Sequence, residues 1–261
     1  MGANYHFNKI IGASDAITEV FDLMEKAIDS DLDILITGET GTGKELVAKE
    51  IHYNSSRKEH PLLACNCSVG SKDVLLNQLF GHRKGAFPDA VEDKMGLFEA
   101  AEGSTFILDE IDETPLDVQP SLLRALKERK VRRLGETISH DVDVRVIAIT
   151  ERNLPELVEA GRFLFDLCVR LKTFEIHLPP LRERSEDIPL LIEHFYEEAC
   201  RQFRREATGF TPDALGMLSR YSWPGNVREL RSVIRRACAL AGEGKRIQTH
   251  HLPPQMLTEK S

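Results

Sequence analysis

A glycine-rich run of seven residues, Gly38-Glu39-Thr40-Gly41-Thr42-Gly43-Lys44, limits the folds open to this chain more than any other segment. It follows Ile34-Leu35-Ile36-Thr37, a short apolar run rich in β-branched residues that predicts a buried strand. A helix is predicted from about Lys44 to Asn54. A strand, a glycine loop and a helix in this order favour a phosphate-binding loop over a glycine-rich turn of no function. In such a loop, backbone N–H groups surround the phosphates and Lys44 reaches the terminal ones.

A second motif, Phe106-Ile107-Leu108-Asp109-Glu110, is an apolar strand that ends in two carboxylates. Its end is expected at the carboxyl edge of a sheet, beside the phosphate loop. Asp109 is then predicted to hold magnesium, and Glu110 to polarise an attacking water. The motif alone is weak, because a strand that runs into a solvated acidic turn is common. Together with the phosphate loop it indicates a nucleotide site.

Strands alternate with helices through the first two thirds of the chain. Strands are predicted at 34–37, 62–65, 105–108, 142–149 and 173–178, with helices at 15–30, 44–54, 74–80 and 116–129. This alternation predicts an α/β fold with a parallel sheet flanked by helices. After Pro179-Pro180 only helical periodicity is found, in segments at 188–205, from Thr211 and from Asn226. We therefore expect an α/β nucleotide-binding domain over 1–180 and a small helical domain over 181–261, with a frayed tail or the start of a linker after Gly244.

Composition excludes several classes of protein. Lys and Arg number 34 against 42 Asp and Glu, and the net charge of −8 disfavours direct binding to nucleic acid. No apolar run approaches the roughly 18 residues of a membrane span, and MGANYHFNKI lacks a secretion-signal pattern. The five cysteines form no CxxC pair, which argues against a zinc site or a disulfide framework. We predict a cytoplasmic protein with buried, reduced thiols and no membrane contact.

Six segments resemble the AAA+ domain of bacterial enhancer-binding proteins, the activators of sigma-54 RNA polymerase. They are GETGTGKELVAKEIH, LFGHRKGAF, LDEI, LLRALKERKVRRLG, HLPPLRERSEDIPLL and WPGNVREL, and the resemblance covers about residues 10 to 254. It implies an AAA+ P-loop NTPase with a helical lid. It also implies a ring, usually hexameric, that holds ATP and Mg²⁺ between neighbouring subunits, and RNA polymerase holoenzyme as a partner.

The resemblance assigns nucleotide contacts to individual residues. It implies that Ile10 and Ile11 flank the adenine and that Arg228 touches the terminal phosphate. Glu45 stands where Ser or Thr usually holds magnesium, but a glutamate there is usual in this family, so Glu45 joins Asp109 as a candidate magnesium residue. The helical pattern agrees for Arg228, which lies off the apolar stripe of its helix and is otherwise expected to be an ordinary surface arginine.

Catalytic roles follow from the same resemblance, with one departure. Asn66 matches the asparagine that switches the glutamate at Glu110. The family usually carries an arginine directly after the GxF phenylalanine and uses it as a trans-acting finger, but this chain has Leu164 there. The later arginine of the pattern is present as Arg170, and Arg162 is a weak substitute because it needs a different backbone path. Loss of a finger lowers phosphoryl transfer by about 10³–10⁵ in other NTPases.

Two further positions depart from the family. The sigma-54 contact loop, usually GAFTGA, reads Gly85-Ala86-Phe87-Pro88-Asp89-Ala90, which keeps the phenylalanine but changes the threonine and the second glycine. Proline fixes its own φ and restricts Phe87, and Asp89 does not freely adopt the positive φ open to glycine, so a different loop shape is expected. The second position is Glu151, an anion where the family has asparagine after Thr150, close to the expected phosphates.

The sequence leaves two main functions open. One is an ATP-driven motor that remodels sigma-54 polymerase. The other is a nucleotide-responsive oligomerisation module with weak or absent hydrolysis and no sigma-54 activation, which three altered functional positions favour over harmless drift. An AAA+ unfoldase of the chaperone or protease-associated class is the third hypothesis, and the LPPLRERSEDIPLL and WPGNVREL segments argue against it.

The resemblance also implies domains outside this segment. Relatives, among them two-component regulators, add a sensory domain and a C-terminal helix-turn-helix. Neither is visible here, and only seven residues follow Pro254. We therefore expect an excised central domain, with DNA reached only through a helix-turn-helix absent from this chain. Some relatives bind cyclic di-GMP, which makes it a candidate second ligand.

Overall fold

The computed structural model describes residue 7 and residues 9–204, 208–242 and 244–257. Most of the N-terminal segment MGANYHFNKI, which lacks a secretion-signal pattern, lies outside this range. So do position 205, where a helix was predicted to end, and the last four residues of the predicted tail. Within it, the chain divides into two compact units. The first is built mainly from residues 22–38 and 44–177, and the second from residues 9–21, 39–43 and the described part of 178–261.

The described strands are short, as is usual for a buried parallel sheet. They are β1 Ile34–Thr37, β2 Leu63–Asn66, β3 Gly81–His82, β4 Lys94–Met95, β5 Thr105–Asp109, β6 Lys130–Val131, β7 His140–Asp141, β8 Arg145–Thr150 and β9 Glu175–His177. The α-helices are α1 Asp15–Asp29, α2 Lys44–Asn54, α3 Lys72–Phe80, α4 Leu97–Ala100, α5 Gln119–Glu128, α6 Leu154–Glu159, α7 Phe165–Leu171, α8 Ile188–Phe203, α9 Pro212–Arg220 and α10 Asn226–Ala241.

A five-stranded parallel sheet in the order β2-β5-β8-β1-β9 organises the first unit. All residues of the central strand β8 are buried, as expected where helices cover a parallel sheet. Helix α2 packs on β1, β5 and β8, and the apolar core gathers side chains of α3, α5 and α7 around the strands. The predicted α/β fold with a parallel sheet flanked by helices is confirmed.

The strand register determines which loops are neighbours. Thr37 at the end of β1 pairs with Thr150 at the end of β8, and Asn66 at the end of β2 pairs with Asp109 at the end of β5. The carboxyl ends of these strands therefore lie along one edge of the sheet. The residues that follow them are brought together by backbone pairing alone.

Differences from the predicted elements have local causes. The helix predicted from Leu116 begins at Gln119, with Pro120 in its first turn, where a missing N–H removes no helical bond. The strand predicted from Val142 begins at Arg145, although Val142 and Val144 are buried ahead of it. The antiparallel pairs β3–β4 and β6–β7 were not predicted, because two-residue strands carry no periodicity.

The second unit is helical, with α8, α9 and α10 packed around a core centred on Trp223. The prediction of a frayed tail after Gly244 is wrong for most of that segment. Two 3-10 turns follow, Thr249–His251 and Pro254–Leu257, and Leu252 and Met256 are only 3% and 5% exposed. These isolated apolar side chains complete the helical core, which sparse composition did not reveal.

All five cysteines are free thiols, and four are buried, while Cys200 is half-buried. Burial raises the pKa of Cys65 to about 11 and that of Cys67 to about 12, so both stay protonated at neutral pH. Among the described residues, no helix is long and apolar enough to cross a membrane.

Candidate nucleotide site

Lys44 is the first residue of α2, and its side chain is only 8% exposed. Its Nζ donates to the Gly38 carbonyl oxygen at 2.8 Å and to Glu151 Oε1 at 3.4 Å. The first bond folds the lysine back over the start of the glycine loop. The second joins it to the carboxylate at the position where the family has asparagine. Sequence reasoning placed Glu151 near the phosphates but did not predict this ion pair.

Asp109 ends β5, and Glu110 follows it in a left-handed conformation with φ 53° and ψ 48°. A non-glycine residue in this region is uncommon and tends to occur at functional positions. The Asp109 carboxylate accepts the Glu110 backbone N–H at 3.0 Å, so the two acidic residues form one turn. Burial raises the pKa of Asp109, as do the neighbouring charges of Glu110 and Glu45, while Lys44 opposes the change. Asp109 is thus half-buried with two further carboxylates near it, an arrangement that suits a cation.

Glu45 carries a side chain that is 64% exposed and bonded to Lys49 Nζ at 2.6 Å. The structure therefore directs this carboxylate to a surface ion pair along α2. Its charge nevertheless acts on Asp109. The assignment of Glu45 to magnesium stays a prediction.

Asn66, the predicted switch residue, lies beside Asp109 in the strand register. Its Oδ1 accepts two hydrogen bonds from Ser68, one from the backbone N–H at 2.8 Å and one from the hydroxyl at 2.7 Å. The side chain thus caps its own turn in this structure. The neighbouring Cys67 N–H donates to the Asp109 carbonyl at 2.8 Å, which holds the two turns together. The switching role of Asn66 stays a prediction.

The glycine loop at 39–43 belongs to the second unit, and basic side chains of that unit hold it. Arg182 donates twice to the Glu39 carboxylate, at 2.8 and 2.6 Å. Arg184 is 3% exposed and donates to the Thr42 carbonyl at 3.1 Å. Burial lowers the pKa of Arg184. Neither arginine was predicted, although both lie in the LRERSED run that was noticed for its family resemblance.

The beginning of α10 supplies further contacts to this loop. Arg228 Nη1 donates to Thr40 Oγ1 at 2.9 Å, and its backbone N–H donates to the Gly41 carbonyl at 3.2 Å. Asn226 is fully buried and donates to the Thr40 carbonyl at 2.9 Å. The prediction that Arg228 lies off the apolar stripe is confirmed, because the stripe residues other than the partly buried Val227 are buried, while Arg228 is exposed and contacts the loop.

Gly41 shows why this loop requires glycine. Its φ is +76°, and a Cβ built there would lie 2.3 Å from the Gly225 carbonyl oxygen and 3.0 Å from the Arg228 Cβ. Both strain and close backbone approach exclude a side chain at this position. Gly38 and Gly43 also have positive φ, at 145° and 110°. The loop therefore needs glycine for its own conformation as well as for any phosphate.

The segment with Ile10 and Ile11 precedes α1 and is anchored within the second unit. The backbone N–H groups of Ala13 and Ser14 donate to Asp187 Oδ1 at 2.7 and 2.9 Å. Ile10 and Ile11 are both partly buried, and Ile11 packs against the helical core. Their contact with adenine stays a prediction. Asp187, which fixes the segment, was not predicted because this pairing is remote in sequence.

Arg170, the predicted second arginine of the finger pattern, forms a buried ion pair in its own subunit. Its Nη2 donates to Asp33 Oδ2 at 2.7 Å, and the Asp33 side chain is fully buried. Arg129 contacts the same carboxylate, and the Val146 N–H donates to it at 2.9 Å. These bonds tie α7 to the sheet. The catalytic role of Arg170 stays a prediction.

Leu164 precedes α7 with its side chain partly buried against the core of the first unit. Its backbone N–H donates to Gln119 Oε1 at 2.7 Å, and Gln119 Nε2 donates to the Arg162 carbonyl at 3.2 Å. The backbone path is thus set by Gln119, whatever side chain stands at 164. Leucine supplies no charge there.

The loop at 85–90 is a closed turn. The Ala90 N–H donates to the Phe87 carbonyl at 2.9 Å and the Gly85 N–H to the Ala90 carbonyl at 2.8 Å. Pro88 and Asp89 are therefore the two central residues of a β-turn, where proline is favoured at the first. Asp89 is not among the residues with positive φ, so the expected conflict at that position does not arise. Phe87 is half-buried, with its ring 4.8 Å from that of His82.

Comparison with known proteins agrees with these features. Residues 10–177 match the family described as the sigma-54 interaction domain, and residues 182–261 match the AAA+ ATPase lid domain. The chain is 44% identical over 256 residues to the nitrogen fixation protein VnfA of Azotobacter vinelandii, covering 98% of this chain and 49% of that protein. It is 44% identical over 247 residues to the DNA-binding transcriptional regulator NtrC of Klebsiella pneumoniae, covering 95% and 52%.

A solved structure is also similar. NtrX from Brucella abortus, crystallised in complex with ATP, superposes with a TM-score of 0.87 at 33% identity, over 95% of this chain and 55% of that one. The chain thus spans about half the length of the relatives compared here.

Proposed function

The chain belongs to the sigma-54 interaction domain family of AAA+ transcriptional regulators, and from this we propose a nucleotide-responsive module with slow hydrolysis and no sigma-54 activation. It binds ATP with magnesium, assembles with copies of itself and works in the cytoplasm as part of a regulator. The observation that carries the proposal is the ion pair between Lys44 and Glu151. It places an anion beside the lysine that a phosphate-binding loop uses for the terminal phosphates.

Nucleotide binding is supported by the conformation of the glycine loop and by a relative, NtrX, that was solved with ATP. Among the described residues, no group of three metal-ligating side chains is found. Magnesium does not need such a cage, because it takes one or two carboxylates with phosphate oxygens and water. Asp109, electronegative and half-buried at the end of β5, fits one such ligand. When bound, the ion neutralises phosphate charge; the chain itself supplies Asp109 to orient it.

Slow hydrolysis is supported by the residues at positions 151 and 164. Glu110 is retained and can polarise a water. Leu164 offers no positive charge for a neighbouring subunit, and Glu151 adds a negative charge where negative charge accumulates in phosphoryl transfer. Binding is thus kept while two contributions to the transition state are lost.

Loss of sigma-54 activation is supported by the closed turn at 85–90. Pro88 has no backbone N–H to donate and fixes its own φ, and the turn holds Phe87 against His82. Asp89 adds a charge at the tip, where burial against a largely apolar partner costs several kcal/mol. The loop therefore presents different chemistry from the one that the family uses.

The alternative is a fully active motor that remodels sigma-54 polymerase. Retention of Glu110, Arg228 and Phe87 favours it, together with the similarity to NtrC. In either function, the chain reaches DNA through a separate helix-turn-helix domain and not through its own acidic surface.

Steady-state ATP turnover, measured across a range of protein concentrations with nucleotide affinity measured alongside, separates the two. We expect binding of ATP with turnover well below 1 s⁻¹ at every concentration. Turnover near or above that value, rising with protein concentration, supports the motor and contradicts the proposal. Absence of nucleotide binding contradicts both.

A further inference from the structure

We propose that Glu151 makes this site select a nucleoside diphosphate over a nucleoside triphosphate. The inference rests on the proposed nucleotide binding at the glycine loop and concerns which nucleotide is preferred there. Its basis is the bond between Glu151 Oε1 and Lys44 Nζ. The carboxylate thereby contacts the ammonium group that a phosphate would otherwise contact.

The position of Glu151 is set by backbone pairing. Thr150 pairs with Thr37, so the residues that follow them, Glu151 and Gly38, leave the sheet side by side. The Thr150 hydroxyl bonds to Asp112 at 2.6 Å and accepts the Arg152 N–H at 3.0 Å, which fixes the turn on both sides of Glu151. The Gly38 carbonyl holds the lysine from the other strand. The ion pair is therefore built into the edge of the sheet.

The charge around Lys44 is unbalanced. Its ammonium group forms an ion pair with Glu151, and Asp109 is influenced electrostatically by Lys44, Glu110 and Glu45. Burial of the lysine strengthens its interactions with Glu151 and Asp109 relative to water. Each phosphate added to a nucleotide brings more negative charge to this site. The terminal phosphate brings that charge to Lys44, because the lysine of a phosphate-binding loop contacts the terminal phosphates.

A diphosphate and a triphosphate therefore differ in what Glu151 must do. With the shorter nucleotide, the carboxylate can keep its place at the lysine. With the longer one, the terminal phosphate and the carboxylate compete for the same ammonium and repel each other. Glu151 is 46% exposed, so it can turn away into water, but it then loses the ion pair. The loss of the ion pair with Lys44 and the repulsion between Glu151 and the terminal phosphate both weaken triphosphate binding, so the site prefers the diphosphate.

The experiment measures two dissociation constants by calorimetry with the 261-residue chain and excess Mg²⁺. The probes are ADP and the β,γ-imido analogue of ATP, which is not hydrolysed, so turnover does not affect the result. The quantity compared is the ratio of the analogue constant to the ADP constant. Glu151→Gln removes the charge and keeps the shape, and Glu151→Asp keeps the charge. Glu159→Gln, at the exposed end of α6, is the matched control for loss of one negative charge.

We expect the wild-type ratio to exceed one by on the order of tenfold, given the strength of partly screened charges at this separation. Glu151→Gln should lower the ratio by about that factor through tighter binding of the analogue. Glu151→Asp and Glu159→Gln should leave it above one.

An unchanged ratio in Glu151→Gln, or equal changes in both constants, overturns the inference while leaving nucleotide binding intact. If the wild type binds neither nucleotide, the proposed function itself is contradicted. Thermal unfolding of each variant identifies any that fails to fold. If Glu151→Gln fails to fold, Glu151→Asp decides, because it keeps the charge. A ratio of the analogue constant to the ADP constant near one in Glu151→Asp counts against the inference.

Discussion

Two glycine-containing loops of this molecule differ in how far they keep the glycines of the family. The loop at 38–44 keeps every glycine that its conformation needs, and side chains of α10 and of the LRERSED run bond to its backbone. The loop at 85–90 keeps Gly85 but replaces the second family glycine, and it closes on its own backbone. This contrast between the two loops is the one that the proposed function expects, with nucleotide binding kept and sigma-54 activation lost.

Lys44→Ala gives the largest expected effect on the retained loop. Removing the ammonium deletes the contact for terminal phosphates and leaves the carboxylates of Asp109 and Glu151 unopposed. We expect nucleotide affinity measured by calorimetry to fall at least about a hundredfold, since charged contacts of this kind contribute several kcal/mol. Equal affinity in the variant and the wild type would place the nucleotide elsewhere and remove the basis of the comparison.

Gly41→Ala and Gly85→Ala form a matched pair that tests the two loops directly. Both glycines have positive φ, at 76° and 82°, so the backbone strain of roughly 1–2 kcal/mol is common to both variants. A Cβ at 41 also meets the Gly225 carbonyl oxygen, whereas at 85 it meets nothing within 4 Å. In denaturant unfolding with and without ADP, Gly41→Ala should lose stability and nucleotide binding. Gly85→Ala should lose only the strain energy. Similar losses of binding in both variants would contradict the contrast.

The double variant Leu164→Arg with Glu151→Asn tests whether these two positions limit ATP hydrolysis. It restores a positive charge for a neighbouring subunit and removes an anion near the phosphates. We expect ATP turnover to rise by at least about tenfold, chiefly at protein concentrations where subunits associate. Leu164→Lys, with a charge but no planar fork, should recover less. If the wild type already turns over at about 1 s⁻¹ or faster, the altered positions do not limit hydrolysis.

Sequence reasoning recovered the parts of this fold whose signals are local. Strand β1 and helix α2 have the predicted bounds, because an apolar β-branched run and a glycine loop delimit them. The parallel sheet followed from the alternation of strands and helices. The buried 3-10 turns after residue 244 were missed, since their few apolar residues become a core only when α9 and α10 are already packed.

Within the candidate site, the same division holds. Asp109, Glu110 and Lys44 are recognisable because their chemistry requires fixed spacing. The bonds from Arg182 to Glu39 and from Asp187 to Ser14 join residues far apart in sequence. No periodicity encodes such pairs. Residues that belong to a motif are thus easier to predict than the residues that hold the motif in place.

The smallest expected effect concerns the altered loop, in the double variant Pro88→Thr with Asp89→Gly. Loss of proline frees the chain more in the unfolded state than in the folded one, so stability should fall by only about 0.4–1 kcal/mol. The Ala90 amide, which donates to Phe87, should exchange with solvent faster, and hydrogen-exchange mass spectrometry of the 85–90 peptide measures this.

This variant also limits what the loop can explain. Because the proposed function has Glu151 and Leu164 slow hydrolysis, we expect the freed loop alone to give no open complex on a sigma-54 promoter. Adding Glu151→Asn and Leu164→Arg should be required for any activity. Robust open-complex formation by the unmodified chain with ATP would show that a closed Pro88-Asp89 turn is compatible with sigma-54 contact. The difference between the two loops would then be one of sequence and not of function.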